Sequence, residues 1–256
     1  GHQGEQVRER YDNVRLAGAN INVLIEPEPM GTGGALAFAY DRLAPTFVVA
    51  NGDTLFDTNI RAVDSFLHQD SRLDGVLALR NVNDAGRYGS VQLGDDGLIT
   101  AFNEKTPESL GQSGLISGGI YALRRRVLQG LKRQPLSIET DLFPRLVQSS
   151  RLAGRKSSGY FIDIGLPETL ETSRKDLPTR LRPAVFFDRD GVLNIDKNYV
   201  HRIEDWEWVD GAKEAIRYFN DMNYAVIVVT NQAGVGRGYY KESDVWKLHA
   251  HLSDEL

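Results

Sequence analysis

The sequence contains no cysteine, which excludes disulfides and thiolate metal sites within the chain and fits a reducing, cytoplasmic compartment. It has no basic run either. Its 30 Lys and Arg stand against 35 Asp and Glu, a net charge of −5 that suits neither nucleic acid nor an anionic membrane surface. Long apolar runs are missing: the longest, such as Ala225–Val229, fall far short of the ~20 residues a membrane span needs. Gly1-His2-Gln3-Gly4 carries no initiator Met and no signal-peptide pattern, so the start reads as a cut end. What is present is ordinary: 256 residues, 41% hydrophobic and 25% charged, enough for two domains with unstapled cores. Any phosphate site must therefore be built locally, from backbone amides, a metal and a few cations.

Short β-branched runs alternate with helical patterns almost throughout, which argues for an α/β sheet. Strands are expected at Ile21–Ile25, Thr46–Ala50, Gly75–Leu79 and Ser90–Leu93, and amphipathic helices at 4–11 and 58–69. A helix over Ala35–Asp41 should follow the Gly31-Thr32-Gly33-Gly34 turn. Between 171 and 183 the chain turns polar and charged around Pro178 and Pro183, and its second half reads as a linker. A fresh pattern follows: strand Ala184–Phe187, a helix over about 210–221, strand Ala225–Thr230 and a helix over about 242–252. Two such units should pair as parallel strands through a right-handed crossover. The expected division is a domain over 1–175, a linker at 176–183 and a second domain over 184–256.

The sharpest functional signal is Ala184-Val185-Phe186-Phe187-Asp188-Arg189-Asp190-Gly191, an apolar strand running straight into Asp-x-Asp-Gly. In extended chain, residues two apart point to one side, so Asp188 and Asp190 can converge on one substrate. They would do so at the carboxyl end of a parallel strand, where α/β sheets bind ligands. Carboxylates this close repel unless a cation or a shared proton intervenes, and Mg²⁺ accepts carboxylate and phosphate oxygens together. The plainer reading, a strand before an acidic Asp-Gly turn, is common. The next strand shifts the balance, because it ends in Thr230-Asn231-Gln232-Ala233-Gly234. There Thr230 can donate to a phosphoryl oxygen, and Arg237, among glycines, can hold a second anionic group.

These residues resemble the haloacid dehalogenase superfamily of phosphatases. With Tyr199-Val200-His201, Glu207-Trp208-Val209-Asp210-Gly211-Ala212 and Arg237-Gly238, the likeness narrows to heptose 1,7-bisphosphate 7-phosphatases, near relatives of histidinol-phosphate phosphatases. The resemblance implies that Asp188 attacks phosphorus and Asp190 serves as acid and base. It implies Mg²⁺ on the Asp188 carboxylate and the Asp190 main-chain carbonyl, with Thr230, Asn231 and Arg237 toward substrate. Such phosphatases also use a later Lys and a later acidic pair, for which the residues after Thr230 offer no candidate. The hydrolytic site within this sequence is therefore expected to be incomplete and its turnover negligible.

Three earlier features belong together. Glu26-Pro27-Glu28-Pro29-Met30-Gly31-Thr32-Gly33-Gly34-Ala35 reads as a Gly-rich loop entering a helix, open to a flat or anionic ligand or simply a helix-entry turn. Thr46–Ala50 runs into Asn51-Gly52-Asp53; its unbroken apolar run favours a central parallel strand, although Asn-Gly is also a hairpin signal. Phe161-Ile162-Asp163-Ile164-Gly165 presents another Asp among apolar residues, and two buried aspartates could share a metal.

Together with Arg87-Tyr88-Gly89, Phe102-Asn103-Glu104-Lys105 and Ser117-Gly118-Gly119-Ile120-Tyr121, these segments resemble the sugar-1-phosphate nucleotidyltransferases over about residues 1–172. The wording is similar to heptose 1-phosphate guanylyltransferases, with mannose and glucose 1-phosphate enzymes as alternatives. The resemblance implies Mg²⁺ held by Asp53 and Asp163, Gly31, Gly33 and Gly34 near the nucleotide, and Lys105 near the sugar phosphate. It implies Glu104, Gly89 and Gly119 against the sugar, although Glu104-Lys105 alone would read as a solvated pair. The family also opens with a strand and a Gly-rich, Arg-containing triphosphate loop that has no counterpart in these 256 residues.

The fold expected is α/β: a Rossmann-like nucleotidyltransferase domain without its first strand and loop, then the N-terminal half of a haloacid-dehalogenase-type Rossmannoid domain. The function expected is sugar-nucleotide biosynthesis, with a nucleoside triphosphate and a sugar phosphate as partners, no nucleic acid and no membrane. Exposed apolar sheet edges should invite association into an oligomer. The rival from another class is a non-catalytic sugar-nucleotide-binding scaffold.

Overall fold

The computed structural model describes residues 3–16, 18–103, 111–131 and 134–256. The chain falls into two units, Gly1–Thr54 with Ile60–Lys156, and Leu55–Asn59 with Ser157–Leu256.

The first unit opens with helix α1 (Gly4–Tyr11) and the short hairpin of β1 (Arg15–Leu16) and β2 (Ala19–Asn20). The strand expected over Ile21–Ile25 does not form. Ile21 still exchanges backbone bonds with Asn13 and Val14, but the Val23 N–H then donates to the Asp12 carboxylate at 2.8 Å instead of to a neighbouring strand. Helix α2 (Gly31–Phe38) begins at the first glycine of the expected loop and yields to a 3₁₀ turn at Tyr40–Arg42. There follow β3 (Thr46–Ala50), β4 (Thr54–Phe56), whose last two residues belong to the second unit, and α3 (Ile60–Gln69). Helix α3 buries Val63 and Leu67, four residues apart on one face.

Strand β5 (Gly75–Val82) is buried over its first five residues. It lies between β8 (Gly114–Arg124) and β9 (Leu152–Lys156), in a sheet of order β3-β8-β5-β9. A strand covered on both faces reads as a continuous apolar run, which is what Gly75-Val76-Leu77-Ala78-Leu79 is. Strand β3, expected at the centre of a parallel sheet, instead ends this sheet, because antiparallel β8 inserts between it and β5. The pair β6 (Ser90–Leu93) and β7 (Ile99–Asn103) forms an antiparallel ribbon. A π-helical turn at Ile138–Leu142 leads into α4 (Phe143–Gln148), and Phe143 packs with Tyr121, Leu123 and Leu152 in the core.

In the second unit β10 (Phe161–Asp163) pairs with β4, and α5 (Pro167–Asp176) follows. Strands β11 (Ala184–Asp188) and β12 (Ala225–Val229) pair in parallel, as the two-unit pattern predicts. The helix between them, α6 (Ala212–Asp221), buries Ala212 and Ile216. After β12 come one turn of helix, α7 (Ala233–Gly236), and α8 (Glu242–Glu255), which buries Val245, Leu248 and Leu252 at helical spacing. No helix among the described residues is long and apolar enough to cross a membrane.

Candidate functional site

In the first unit the start of α2, the end of β3 and the middle of β8 meet around a carboxylate outside the sequence expectation, Glu139. Its Oε2 accepts from the Thr32 hydroxyl at 2.9 Å and the Ser137 hydroxyl at 3.0 Å. The Tyr121 hydroxyl lies 3.4 Å from both Glu139 Oε1 and Asn51 Oδ1, donating to one at a time. Burial, and then the Glu139 charge, push the Tyr121 phenol far above its ordinary value. It therefore stays a hydrogen-bond donor across the accessible pH range. Asn51 is set by its N–H on the Gly119 carbonyl at 2.9 Å. Gly119 has φ +74°, and a Cβ there would come within 3.0 Å of Asn51 Nδ2. One signal for Glu139 was available: Ser137 precedes two acids and an apolar run, a helix-entry pattern, and Ser137 Oγ does accept from Thr140 N–H.

The glycines of α2 serve a different contact from the one expected. The Gly33 and Gly34 N–H groups donate to the Leu136 carbonyl at 2.8 and 3.2 Å, and both residues are buried. A Cβ on Gly31, at φ +68°, would lie 2.7 Å from the Leu136 oxygen, and one on Gly34 would lie 2.5 Å from the Gln134 oxygen. Close backbone approach demands glycine here, but the approaching backbone is 134–136, and the amides expected to face a ligand are taken. At Gly33 the nearest atom is the end of the Leu136 side chain, at 2.1 Å, which can swing aside. Gly34→Ala should thus lower stability by about 2 kcal/mol and Gly33→Ala by distinctly less, read as shifts of the urea midpoint.

The remaining first-unit positions separate. Gly89 is buried in a turn at φ +82°, its N–H on the Ala85 carbonyl. Asp53 is exposed, and the Thr54 hydroxyl donates to it at 3.3 Å; the buried aspartate expected at the end of β3 is therefore not buried. Glu104 and Lys105 lie outside the described residues.

In the second unit Asp163 ends β10 half-buried, its Oδ1 accepting from Gly165 N–H at 2.8 Å. Asp188 ends β11 exposed, its Oδ1 accepting from Arg189 N–H at 2.7 Å. Asp190 is held from three sides: by Arg189 Nη2 at 2.8 Å, Asn194 Nδ2 at 3.2 Å and Gln232 Nε2 at 3.0 Å. Arg189 is itself 1% exposed and also donates to the Val200 carbonyl at 2.7 Å. Gln232 ties the two strand ends together, since its Nε2 also lies 2.7 Å from Thr230 Oγ1. The Tyr240 hydroxyl fixes Gln232 by donating to its Oε1 at 2.7 Å, and Gly234 admits the Tyr240 ring where a Cβ would sit 2.2 Å from it. Asp188, Asp190 and Thr230 thus share one edge of the β11–β12 pair. Asn231 and Arg237 are exposed beside it, Arg237 donating to the Tyr199 hydroxyl. Sequence reasoning assigned no role to Arg189 or Gln232, because the contacts that make them braces, with Val200 and Tyr240, come from residues 8 to 11 positions away.

His249 on α8 stands near this network, and its Nε2 is buried with no hydrogen-bond partner among the described residues. Burial, and then the Arg189 charge, hold its pKa below 6.5, with Asp190 opposing. As pH falls through 6.5 the unfolded chain binds more proton at this residue than the folded chain does, so it makes stability fall until the folded His249 titrates in turn. His249→Gln should flatten that acid limb in denaturation curves recorded as a function of pH.

A nucleotidyl transferase family profile matches residues 1–180. A D-glycero-alpha-D-manno-heptose 1-phosphate guanylyltransferase of Aneurinibacillus thermoaerophilus is 34% identical over 179 residues, covering 69% of this chain and 75% of that protein. A D-glycero-alpha-D-manno-heptose-1,7-bisphosphate 7-phosphatase of Campylobacter jejuni is 56% identical over 73 residues, 28% of this chain. This chain spans 42% of that phosphatase's length. Among solved structures, HddC from Yersinia pseudotuberculosis complexed with GMP-PN superposes with a TM-score of 0.56 at 26% identity, over 68% of this chain and 74% of that one.

Proposed function

The chain belongs to the nucleotidyl transferase family, and from that premise we propose that its protein transfers GMP from GTP to a heptose 1-phosphate and also removes the 7-phosphate of heptose 1,7-bisphosphate. The observation that carries the double reading is the pair of relatives. One is a heptose 1-phosphate guanylyltransferase, and the other, 56% identical over 73 residues, is a heptose bisphosphate phosphatase. The product of the second reaction is the acceptor of the first. In this reading residues 1–175 are the transferase, 176–183 a linker, and 184–256 part of a haloacid-dehalogenase-type phosphatase.

For guanylyl transfer, the sugar phosphate attacks the α-phosphorus in line and pyrophosphate leaves, so the protein's work is positioning and charge neutralisation. Glu139 is suited to accept hydrogen bonds from sugar hydroxyls. Its ring of hydroxyl donors, Thr32, Ser137 and Tyr121, holds the carboxylate in place. For hydrolysis, an Asp188 oxygen attacks phosphorus, the bond to the sugar oxygen breaks, and Asp190 gives that oxygen a proton. Asp190 then takes a proton from the water that releases phosphate. Its present neighbours all donate to it, the arrangement suited to that second half.

Mg²⁺ is the cofactor of both reactions in this reading, with Asp53 and Asp163 for transfer and the Asp188 carboxylate and Asp190 carbonyl for hydrolysis. The donors fit: they are hard oxygens, and Asp188 is exposed, with one of its oxygens accepting from the Arg189 amide. Mg²⁺ needs just one or two carboxylates when it keeps waters and takes phosphate oxygens. Bound, it would neutralise phosphoryl charge.

The test is pyrophosphate release by the full-length protein, supplied with GTP or other nucleoside triphosphates and with heptose, mannose or glucose 1-phosphate. GTP with heptose 1-phosphate should be fastest. Faster turnover with mannose 1-phosphate or another base would overturn the substrate assignment, and no turnover with any pair would favour a scaffold.

A further inference from the structure

The β4–β10 pair is short, and a lone two-stranded pair is marginally stable in water, yet Asp163 stands at its end. Within the second unit it is gripped by the turn between α6 and β12. Asp57, just after β4, donates its N–H to the Tyr160 carbonyl at 2.8 Å. The Asp57 Oδ2 accepts from Asn223 Nδ2 at 2.7 Å and has Arg182 Nε at 3.8 Å. Arg182 Nη2 in turn donates to Asn223 Oδ1 at 3.0 Å, so the amide is held between carboxylate and guanidinium. Two residues on, Asn59 Nδ2 donates to Asp221 Oδ1 at 3.3 Å.

The local backbone explains why Asn223 can reach. It follows the last turn of α6 at φ +61°, its N–H on the Asn220 carbonyl and the Tyr224 N–H on the Phe219 carbonyl. This is the helix ending that places Gly or Asn in the left-handed region. Glycine would serve the backbone as well; asparagine adds a hook. Gly159 makes room on the other side, where a Cβ would lie 1.6 Å from the Asp57 main-chain oxygen and 3.4 Å from Asn223 Nδ2. The Phe56 and Phe161 rings, edge-to-face at 5.8 Å, close the pair.

We propose that Asn223 is a positioning residue for Asp163: by anchoring Asp57 it fixes β10, so the segment that resembles a phosphatase also builds part of the transferase's metal site. The proposal rests on the reading of Asp163 as a metal ligand. Asp163 lies three residues beyond Tyr160 on the strand that Asp57 clasps, so slack at Asp57 becomes displacement at Asp163.

The test uses hydrogen exchange and GTP-dependent Mn²⁺ binding, on the full-length wild-type protein and three variants of it. Asn223→Gly keeps the left-handed backbone and removes the hook. Asp57→Asn removes the charge. The combination Asp57→Asn with Asn223→Asp reverses donor and acceptor and leaves a carboxylate beside Arg182. In Asn223→Gly the amides of 160–165 should exchange about tenfold faster, the effect of losing one charge-assisted hydrogen bond. Those of β5 should not change, which separates a local effect from general destabilisation. Mn²⁺ affinity should fall by a similar factor, and the combined variant should restore both. Unchanged exchange in Asn223→Gly, or no restoration in the combined variant, overturns the proposal. Exchange that follows the substitutions in a full-length protein whose wild type shows no GTP-dependent Mn²⁺ binding supports the hold on β10 and overturns the metal reading of Asp163.

Discussion

Asp190→Ala should destabilise the second unit by about 3 kcal/mol, at the lower end of the range for stripping a buried charge of its partner. The lower end applies because Asp190 itself is 26% exposed. The loss falls on Arg189, 1% exposed, which among the described residues would keep the Val200 carbonyl and the Trp206 ring, 6.0 Å away, to answer its charge. Arg189→Met should cost distinctly less, because Asp190 can turn toward water and a long apolar side chain fills the Arg189 space. Asn194 and Gln232 would still donate to Asp190 in that variant. Chemical denaturation distinguishes the two through the urea midpoint at unchanged slope. Equal losses would mean that the stranded Arg189 charge is not the source of the Asp190→Ala cost.

Asp188→Asn in the full-length protein should reduce phosphate release from heptose 1,7-bisphosphate by about 10⁴-fold or more, since an amide oxygen is a poor nucleophile and covalent capture is the step it removes. Stability should scarcely change, because Asp188 is exposed and the hydrogen bond it accepts comes from the next residue's amide. Asp190→Asn should also slow release, by about 10²–10⁴-fold, the scale of a lost acid–base group. It should in addition lower stability through Arg189. Rapid-quench experiments separate them: Asp188→Asn accumulates no phosphorylated protein, whereas Asp190→Asn can still be captured as one. Residual turnover of Asp188→Asn near the wild-type rate would sink the nucleophile assignment.

Much of this was legible in one dimension. The unbroken apolar run of Gly75–Leu79 marks a strand covered on both faces, and β5 is such a strand. The repeated strand–helix pattern after Pro183 predicts a parallel pair, and β11 and β12 form one in register from Ala184 with Ala225. Asp188, Asp190 and Thr230 reach one edge because each stands at or just beyond the end of its strand. Such features follow from local periodicity and from where an apolar run stops, which a sequence states directly.

Other features depend on which distant segments meet. Nothing near Thr46–Ala50 announces that antiparallel β8 lies beside it, so β3 moved from the expected centre to the end of its sheet. Gly33 and Gly34 advertise close approach by something, but only the fold decides that it is the Leu136 carbonyl. Glu139 gains Thr32, and Asp57 gains Asn223, across 107 and 166 residues. Neighbours along the chain were enough to mark most of the helices, the strands β3, β5, β6, β11 and β12, and the carboxylates at strand ends. The tertiary structure alone decided which carboxylates are braced, which amides are occupied and which strand a turn holds, because hydrogen bonds act over about 3 Å of space whatever the separation in sequence.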